Sequence, residues 1–231
     1  MKTPLRLAAP LVLLLSAWIL PAVSAAPAID LVTGVTLHNA QSSPVTFQGK
    51  KALRLESPAT TVRNDQDRLD HLALVPALGF QNGTIEVDLA GEPNPNASGG
   101  ARGFVGVAFR VQPDRSTYDC VYLRPTNGRA EDQERRNHSL QYISHPDYPW
   151  SKLRQDFPSR YETYVDITPA TWIHLRIEID GVKARVFVDH REQPALIIND
   201  LKSGADASGQ VALWFEGSTI AHFANLKITL R

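Results

Sequence analysis

The chain has 231 residues, with 24 Lys and Arg against 24 Asp and Glu, so it carries no formal net charge at pH 7. A surface built for nucleic acid or an anionic membrane shows a basic excess, and none is present here. Its one cysteine, Cys120, excludes an intramolecular disulfide, so buried apolar surface must hold the fold.

Lys2 and Arg6 precede an apolar run over residues 11–20 and then Pro21-Ala-Val-Ser-Ala25. This order predicts a secretory signal peptide over residues 1–25, with Val23 and Ala25 at the small-residue positions before the cut. The run is about half the length a bilayer span requires, so no stable membrane span is expected after cleavage. The mature chain, residues 26–231, is expected to be secreted or periplasmic. Loss of Lys2 and Arg6 leaves it a net charge near minus two. Roughly 200 residues suit one all-β domain, and residues 26–231 are read as one.

Short alternations at Leu53 and Leu55, then at Leu72 and Leu74, predict the strands that open a sandwich. After Asn82-Gly83, Ile85, Val87 and Leu89 alternate with Glu86 and Asp88 as in a half-buried strand. Residues 91–100, with Pro93 and Pro95, form a loop by composition. Residues 102–111 follow as a strand with Gly103 and Gly106 inside it, and such glycines mark the close approach of another group. Val105, Val107, Phe109 and Val111 are assigned to one face of it, Phe104, Ala108 and Arg110 to the other. In the next strand Val121 and Leu123 oppose Tyr118, Tyr122 and Arg124. Cys120 lies in this strand without a neighbouring His motif and is read as a small buried side chain.

From residue 124 to 164 the alternation lapses. Arg124, Asn127, Arg129, Arg135, Arg136, Asn137, His138, His145, Asp147, Trp150 and Arg154 crowd into what reads as a long loop insertion, and long loops in compact domains are commonly functional. Sugars are gripped by flat aromatic faces against their C–H surfaces and by forked polar groups on their hydroxyls. Ligand-binding candidates are therefore Arg110, Tyr122, Arg124, Asn127, Arg136, Asn137, His138, Tyr142, Trp150 and Tyr164. In Tyr161-Glu-Thr-Tyr-Val-Asp166, alternation sets Glu162, Tyr164 and Asp166 on one face, which predicts that Arg110, Tyr122, Arg124, Glu162 and Tyr164 share a solvated sheet face.

The clearest strand pair comes next. Ile173, Leu175, Ile177 and Ile179 alternate with His174, Arg176, Glu178 and Asp180. The chain turns at Asp180-Gly181, a type I′ hairpin signal, and returns through Val182, Ala184, Val186 and Val188. With the strands expected near residues 195–199, 209–216 and 222–229, the fold class is all-β: a two-sheet antiparallel jelly-roll sandwich. This Trp172-led hairpin resembles the late hairpin of laminin-G-like and concanavalin A-like jelly rolls, whose members mostly bind or cleave sugars. From about Phe80 onward the chain also resembles the bacterial 3-keto-disaccharide hydrolase domain. The shared outline is Asn82-Gly-Thr-Ile-Glu-Val-Asp88, the Gly103-Phe-Val-Gly-Val-Ala-Phe-Arg110 strand, Tyr118-Asp-Cys-Val-Tyr-Leu123 and the Trp172 hairpin.

A glycosidase needs two carboxyl groups at a set separation. Glu86-Val-Asp88 and Glu178-Ile-Asp180 lack the third acidic residue of the laminarinase-like strand and are read as solvent-facing. Glu162 and Asp166, with His138, are the candidate catalytic groups. His138 and His145 fall short of the three or four ligands that zinc takes. No metal or cofactor is expected, and calcium, common in jelly rolls of this resemblance, ranks before zinc. The leading expectation is carbohydrate binding, with an oligosaccharide or polysaccharide as partner. The alternatives are a glycoside hydrolase or 3-keto-glycoside-processing enzyme on the same scaffold, and a laminin-G-like protein-binding module.

Overall fold

Fourteen strands carry the computed structural model, which describes residues 29–58, 70–76, 79–97 and 100–231. The signal peptide expected over residues 1–25 lies outside the described residues. In chain order the strands are β1 Thr36–His38, β2 Gln41–Phe47, β3 Lys50–Glu56, β4 His71–Leu74, β5 Gly83–Pro93, β6 Val105–Val111 and β7 Tyr118–Leu123. They continue as β8 Leu140–His145, β9 Glu162–Thr163, β10 Ile173–Asp180, β11 Lys183–Val188, β12 Leu196–Ile198, β13 Gln210–Phe215 and β14 Thr219–Leu230. Two short helices interrupt them, α1 Gln133–Asn137 and α2 Trp150–Asp156.

The strands form two seven-stranded antiparallel sheets, one ordered β1-β4-β13-β6-β7-β8-β9 and the other β12-β11-β10-β5-β14-β3-β2. Between them lies the core, where Ile85, Val87, Leu89 and Leu175 of one sheet meet Val105, Val107, Val121 and Leu213 of the other. Each such side chain contributes roughly 1.5–3 kcal/mol on burial. The all-β two-sheet sandwich expected from the alternation is the observed architecture.

Three local expectations change. The hairpin pairs Asp180 with Lys183, so its central residues are Gly181 and Val182, and of these only Gly181 has positive φ, at 56°. That is the type II′ pattern, which needs glycine at the first central position, rather than type I′. In β6, Val105, Val107 and Phe109 face the core, but Arg110 takes φ of 56° where the pairing with β13 slips between Ala108 and Val111. The extra residue turns Arg110 inward and Val111 out to the opposite face, as bulges do. The third change is the segment over 124–164, read as a loop. It contains β8, β9 and both helices, and β8 is too short to stand out among its charged flanks.

An antiparallel sheet usually packs one face and wets the other. Here β6 and β7 are buried on both faces. The outer face of their sheet carries a second apolar cluster that includes Leu72, Ala108, Tyr118, Cys120, Tyr122 and Trp214. A cavity opens over this cluster, between it and the segment that carries Trp150 and Arg154.

Candidate ligand cavity

Strand register builds the floor of the cavity. Trp214 of β13 pairs with Gly106 of β6, Gly106 with Tyr122 of β7, Tyr122 with Gln141 of β8, and Gln141 with Glu162 of β9. Strands two apart in a sheet lie about 9–10 Å apart, yet the Tyr122 and Trp214 rings approach to 4.9 Å between centroids. They do so across Gly106, which has no side chain between them. A Cβ there would lie 2.6 Å from the Tyr122 Cβ and 2.2 Å from the Val121 carbonyl oxygen. The glycine noted inside the strand thus marks the contact of two aromatic neighbours. Phe104 stacks on Tyr122 at 5.6 Å and extends the floor.

Arginines and polar groups form the walls of a cavity of about 490 Å³, within the range typical of small-ligand sites. Arg124, just past the end of β7, lines it together with Asn127, His138 and Trp150. Its guanidinium carbon sits 5.1 Å from the Phe104 ring centre, 5.3 Å from that of Tyr122 and 5.6 Å from that of Trp150. On α2, Trp150 and Arg154 are four residues apart and so share one face, with Arg154 4.7 Å from the Trp150 ring centre. Arg154 also forks onto Glu162, Nε to Oε1 at 2.9 Å and Nη2 to Oε2 at 2.7 Å.

His138 Nδ1 lies 2.9 Å from Glu162 Oε2, although the ring is off the line of a well-formed hydrogen bond. Burial lowers the His138 pKa below the ordinary imidazole value, with Arg154 and Arg124 adding to the effect and Glu162 opposing it. That direction favours the neutral form of the imidazole. Two carboxylates line the cavity, and each already has donors. Asp70 accepts from the Tyr118 hydroxyl at 2.5 Å and lies 3.4 Å from His145 Nε2. Glu216 accepts from the Ser218 backbone N–H and hydroxyl.

Of the ten ligand-binding candidates, Tyr122, Arg124, Asn127, His138 and Trp150 meet here, and the other five do not. Arg110, 1% exposed, donates to the carbonyls of Gln81, Gly181 and Gly204 and to the Ser203 hydroxyl, with Asp119 3.9 Å away. It ties loops together at the end of the sandwich because the bulge reversed its face. Tyr142 points into the core, its hydroxyl donating to Asp119 at 2.7 Å, because its partner in the register is the inward-facing Val121. Arg136 donates to the Tyr164 hydroxyl at 3.1 Å, and Asn137 accepts from Gln133 at 2.8 Å. All three lie outside the cavity lining: Arg136 and Asn137 are on α1, and for Tyr164 β9 ends at Thr163, so the alternation assumed through Asp166 does not continue.

Among the catalytic candidates, His138 lines the cavity and Glu162 stands behind it, whereas Asp166 pairs with Arg129 at 2.8 Å. Glu86 and Asp88 lie on the other sheet, where Asp88 is held by Lys50, Asn225 and His174. Cys120 is fully buried, and burial pushes its thiol pKa up. Among the described residues no three His, Cys, Asp or Glu side chains gather as a metal site requires.

The set of site residues misses Trp214, Phe104, Arg154, Arg102 and Arg135, which also line the cavity. Alternation in β13 places Ala212, Trp214 and Glu216 opposite the core residues Val211, Leu213 and Phe215, so Trp214 was legible. Arg154 required the i, i+4 spacing from Trp150, which carries meaning only on a helix.

No protein-family model matches the chain, and no curated protein matches it either. Solved structures do. Carbohydrate-binding module CBM66 from Bacillus subtilis superposes with a TM-score of 0.55 at 17% identity, over 84% of this chain and 94% of that one. A Bacillus subtilis protein of unknown function with a galectin-like fold gives 0.53 at 11% identity, over 87% and 92%. At these identities the likeness is one of fold, and the chain has the jelly-roll sandwich that carbohydrate-binding and galectin-like structures share.

Proposed function

We propose that this protein is a secreted or periplasmic carbohydrate-binding module that holds an oligosaccharide in the cavity over Tyr122 without cleaving it. The observation that carries the reading is the continuous aromatic floor, Phe104 on Tyr122 at 5.6 Å and Tyr122 on Trp214 at 4.9 Å, beneath guanidinium groups. Pyranose C–H faces stack on such rings, and forked donors reach their hydroxyls. The acid/base candidates support catalysis less well. Glu162 gives both oxygens to Arg154, and Asp166 is paired with Arg129 at the surface.

One observation favours the second reading, a glycoside-processing enzyme. His138 at the cavity wall, with Glu162 2.9 Å from its Nδ1, brings together an imidazole and a carboxylate, the two groups that acid–base chemistry uses. Both readings are tested by titrating residues 26–231 with a panel of oligosaccharides that includes 3-keto-glycosides, following binding heat and released sugar together. Binding without release, lost in Tyr122→Ala, is the expected result. Release that disappears in Glu162→Gln would replace the binding module with an enzyme.

A further inference from the structure

Arg124 is 3% exposed and lines the cavity, yet no carboxylate among the described residues lies within ion-pair distance of it. Its Nη2 donates to the Tyr122 hydroxyl at 2.8 Å, its Nη1 reaches the His138 carbonyl only at 3.3 Å, and its Nε has no partner. A buried charge without a counter-charge is costly, and proteins rarely keep one unless something compensates it. The three rings around it compensate in part. The remainder has no partner among the described residues.

Resting on the carbohydrate-binding reading, we propose that the sugar held here is anionic, a uronate whose carboxylate is received by the guanidinium of Arg124. The planar fork of arginine matches a carboxylate edge in geometry as well as charge, a match that lysine and neutral donors do not provide. The surrounding charge agrees. Among the described residues, four arginines, Arg102, Arg124, Arg135 and Arg154, line the cavity against two carboxylates, Asp70 and Glu216, and Arg102 and Glu216 have interactions of their own. Arg154 is balanced by Glu162 behind it, whereas among the described residues the Arg135 side chain donates only to the Asn127 amide oxygen, at 3.5 Å. A chain with 24 basic and 24 acidic residues does not produce that excess by bulk basicity. It is local, and a local positive field in a walled cavity concentrates anions. The aromatic floor beside the guanidinium receives the ring that carries the acid, so uronate carboxylate and sugar face are read side by side.

The experiment titrates residues 26–231, through tryptophan fluorescence and binding heat, with matched sugars that differ only in charge. These are oligogalacturonate against its methyl ester and oligomannuronate against its carboxyl-reduced form, with a sulfated against an unsulfated chondroitin disaccharide, both of which keep the uronate, as the arm that isolates sulfate. The ionised uronates are expected to bind about 10–100-fold more tightly than their neutral partners, the range of a hydrogen bond to a charged group. Arg124→Met is expected to erase the difference while leaving weak binding of the neutral sugar, and Arg124→Lys to restore part of it. Equal binding of charged and neutral members overturns the inference and leaves the carbohydrate reading intact. A preference that survives in Arg124→Met moves the recognition elsewhere, and a preference confined to the sulfated arm overturns the uronate assignment. Silence across the whole panel overturns both readings. Because the esterified and reduced sugars vary the ligand alone, the test stands even if a variant fails to fold.

Discussion

Arg110 and Arg124 lie fourteen residues apart in the chain, one within β6 and the other just past the end of the neighbouring β7, and each is almost fully buried. Their surroundings differ completely. Arg110 makes five hydrogen bonds, to three loop carbonyls and the Ser203 hydroxyl, and has Asp119 3.9 Å from its Nη1. Burial still lowers the Arg110 pKa and raises that of Asp119, although Ser203 and Tyr142 donate to the carboxyl. Arg124 has a phenol oxygen, a distant carbonyl and three ring faces. The first arginine has its needs met inside the chain and serves the fold. The second is met only in part among the described residues, and that shortfall, at a cavity wall, is what the proposed ligand would meet.

The sharpest way to break this contrast is to remove each arginine in turn. Arg110→Met should cost about 3–5 kcal/mol, since it strands the Gln81, Gly181 and Gly204 carbonyls and leaves Asp119 without a cation. Arg124→Met should change stability by no more than about 1 kcal/mol, the loss of ring contacts being offset by relief of an uncompensated buried charge. Urea unfolding of both variants measures the difference. Equal destabilisation would mean that Arg124 is as structural as Arg110, and that the cavity is a by-product of packing.

Neither role could be assigned from the sequence, and the reasons are local. Period-2 alternation located β5, β7, β10 and β11 because their apolar residues repeat on one side, and it put Tyr122 opposite Val121 correctly. It failed at Arg110 because a single residue in the left-handed region, with no glycine to announce it, reverses the face of everything after it. It failed at Tyr164 and Asp166 because β9 is only two residues long. The cavity walls were recognisable as a crowd of arginines and aromatics over 124–164. Which of them face inward depends on α2, a helix too short to leave a periodic signature.

His222 shows a third way to bury a base, which is to surrender the proton. Its ring stacks on Phe47 at 3.9 Å, and desolvation, helped by Arg54 and opposed by Glu56, brings its pKa down to about 4. The unfolded chain takes up a proton near pH 6.5 and the folded chain does not until about 4, so between these values unfolding binds protons. His222 therefore contributes its full stability above pH 6.5, and that contribution falls away as the pH drops toward 4. The gap corresponds to about 3 kcal/mol at most. His222→Phe, which keeps a ring against Phe47 but cannot titrate, should flatten the wild-type decline over that window in thermal melts at pH 4, 5, 6 and 7. A parallel decline in the variant would assign the loss to other groups and leave His222 without a measurable share.

The cavity floor is where a change of packing should be most damaging to binding. Gly106→Ala places a methyl group in the gap that lets Tyr122 and Trp214 touch, 2.6 Å from the Tyr122 Cβ. The added methyl also meets the Val121 carbonyl oxygen and the Tyr122 Cα of β7, so the strand must shift with the rings, at a cost of about 1–3 kcal/mol or more, and the ring contact that a sugar face would stack on is lost. Cys120 reports on the same face from two residues away. Fully buried, with its thiol pKa raised by burial, it should resist alkylation in the folded wild type and react only on unfolding. If Gly106→Ala speeds alkylation and abolishes sugar binding while global stability in urea falls by no more than that, the outer face is a layer with its own integrity, separable from the core between the sheets. If alkylation, binding and global stability fall together, the aromatic floor belongs to the core, and the contrast between Arg110 and Arg124 concerns hydrogen bonding alone rather than two regions of the molecule.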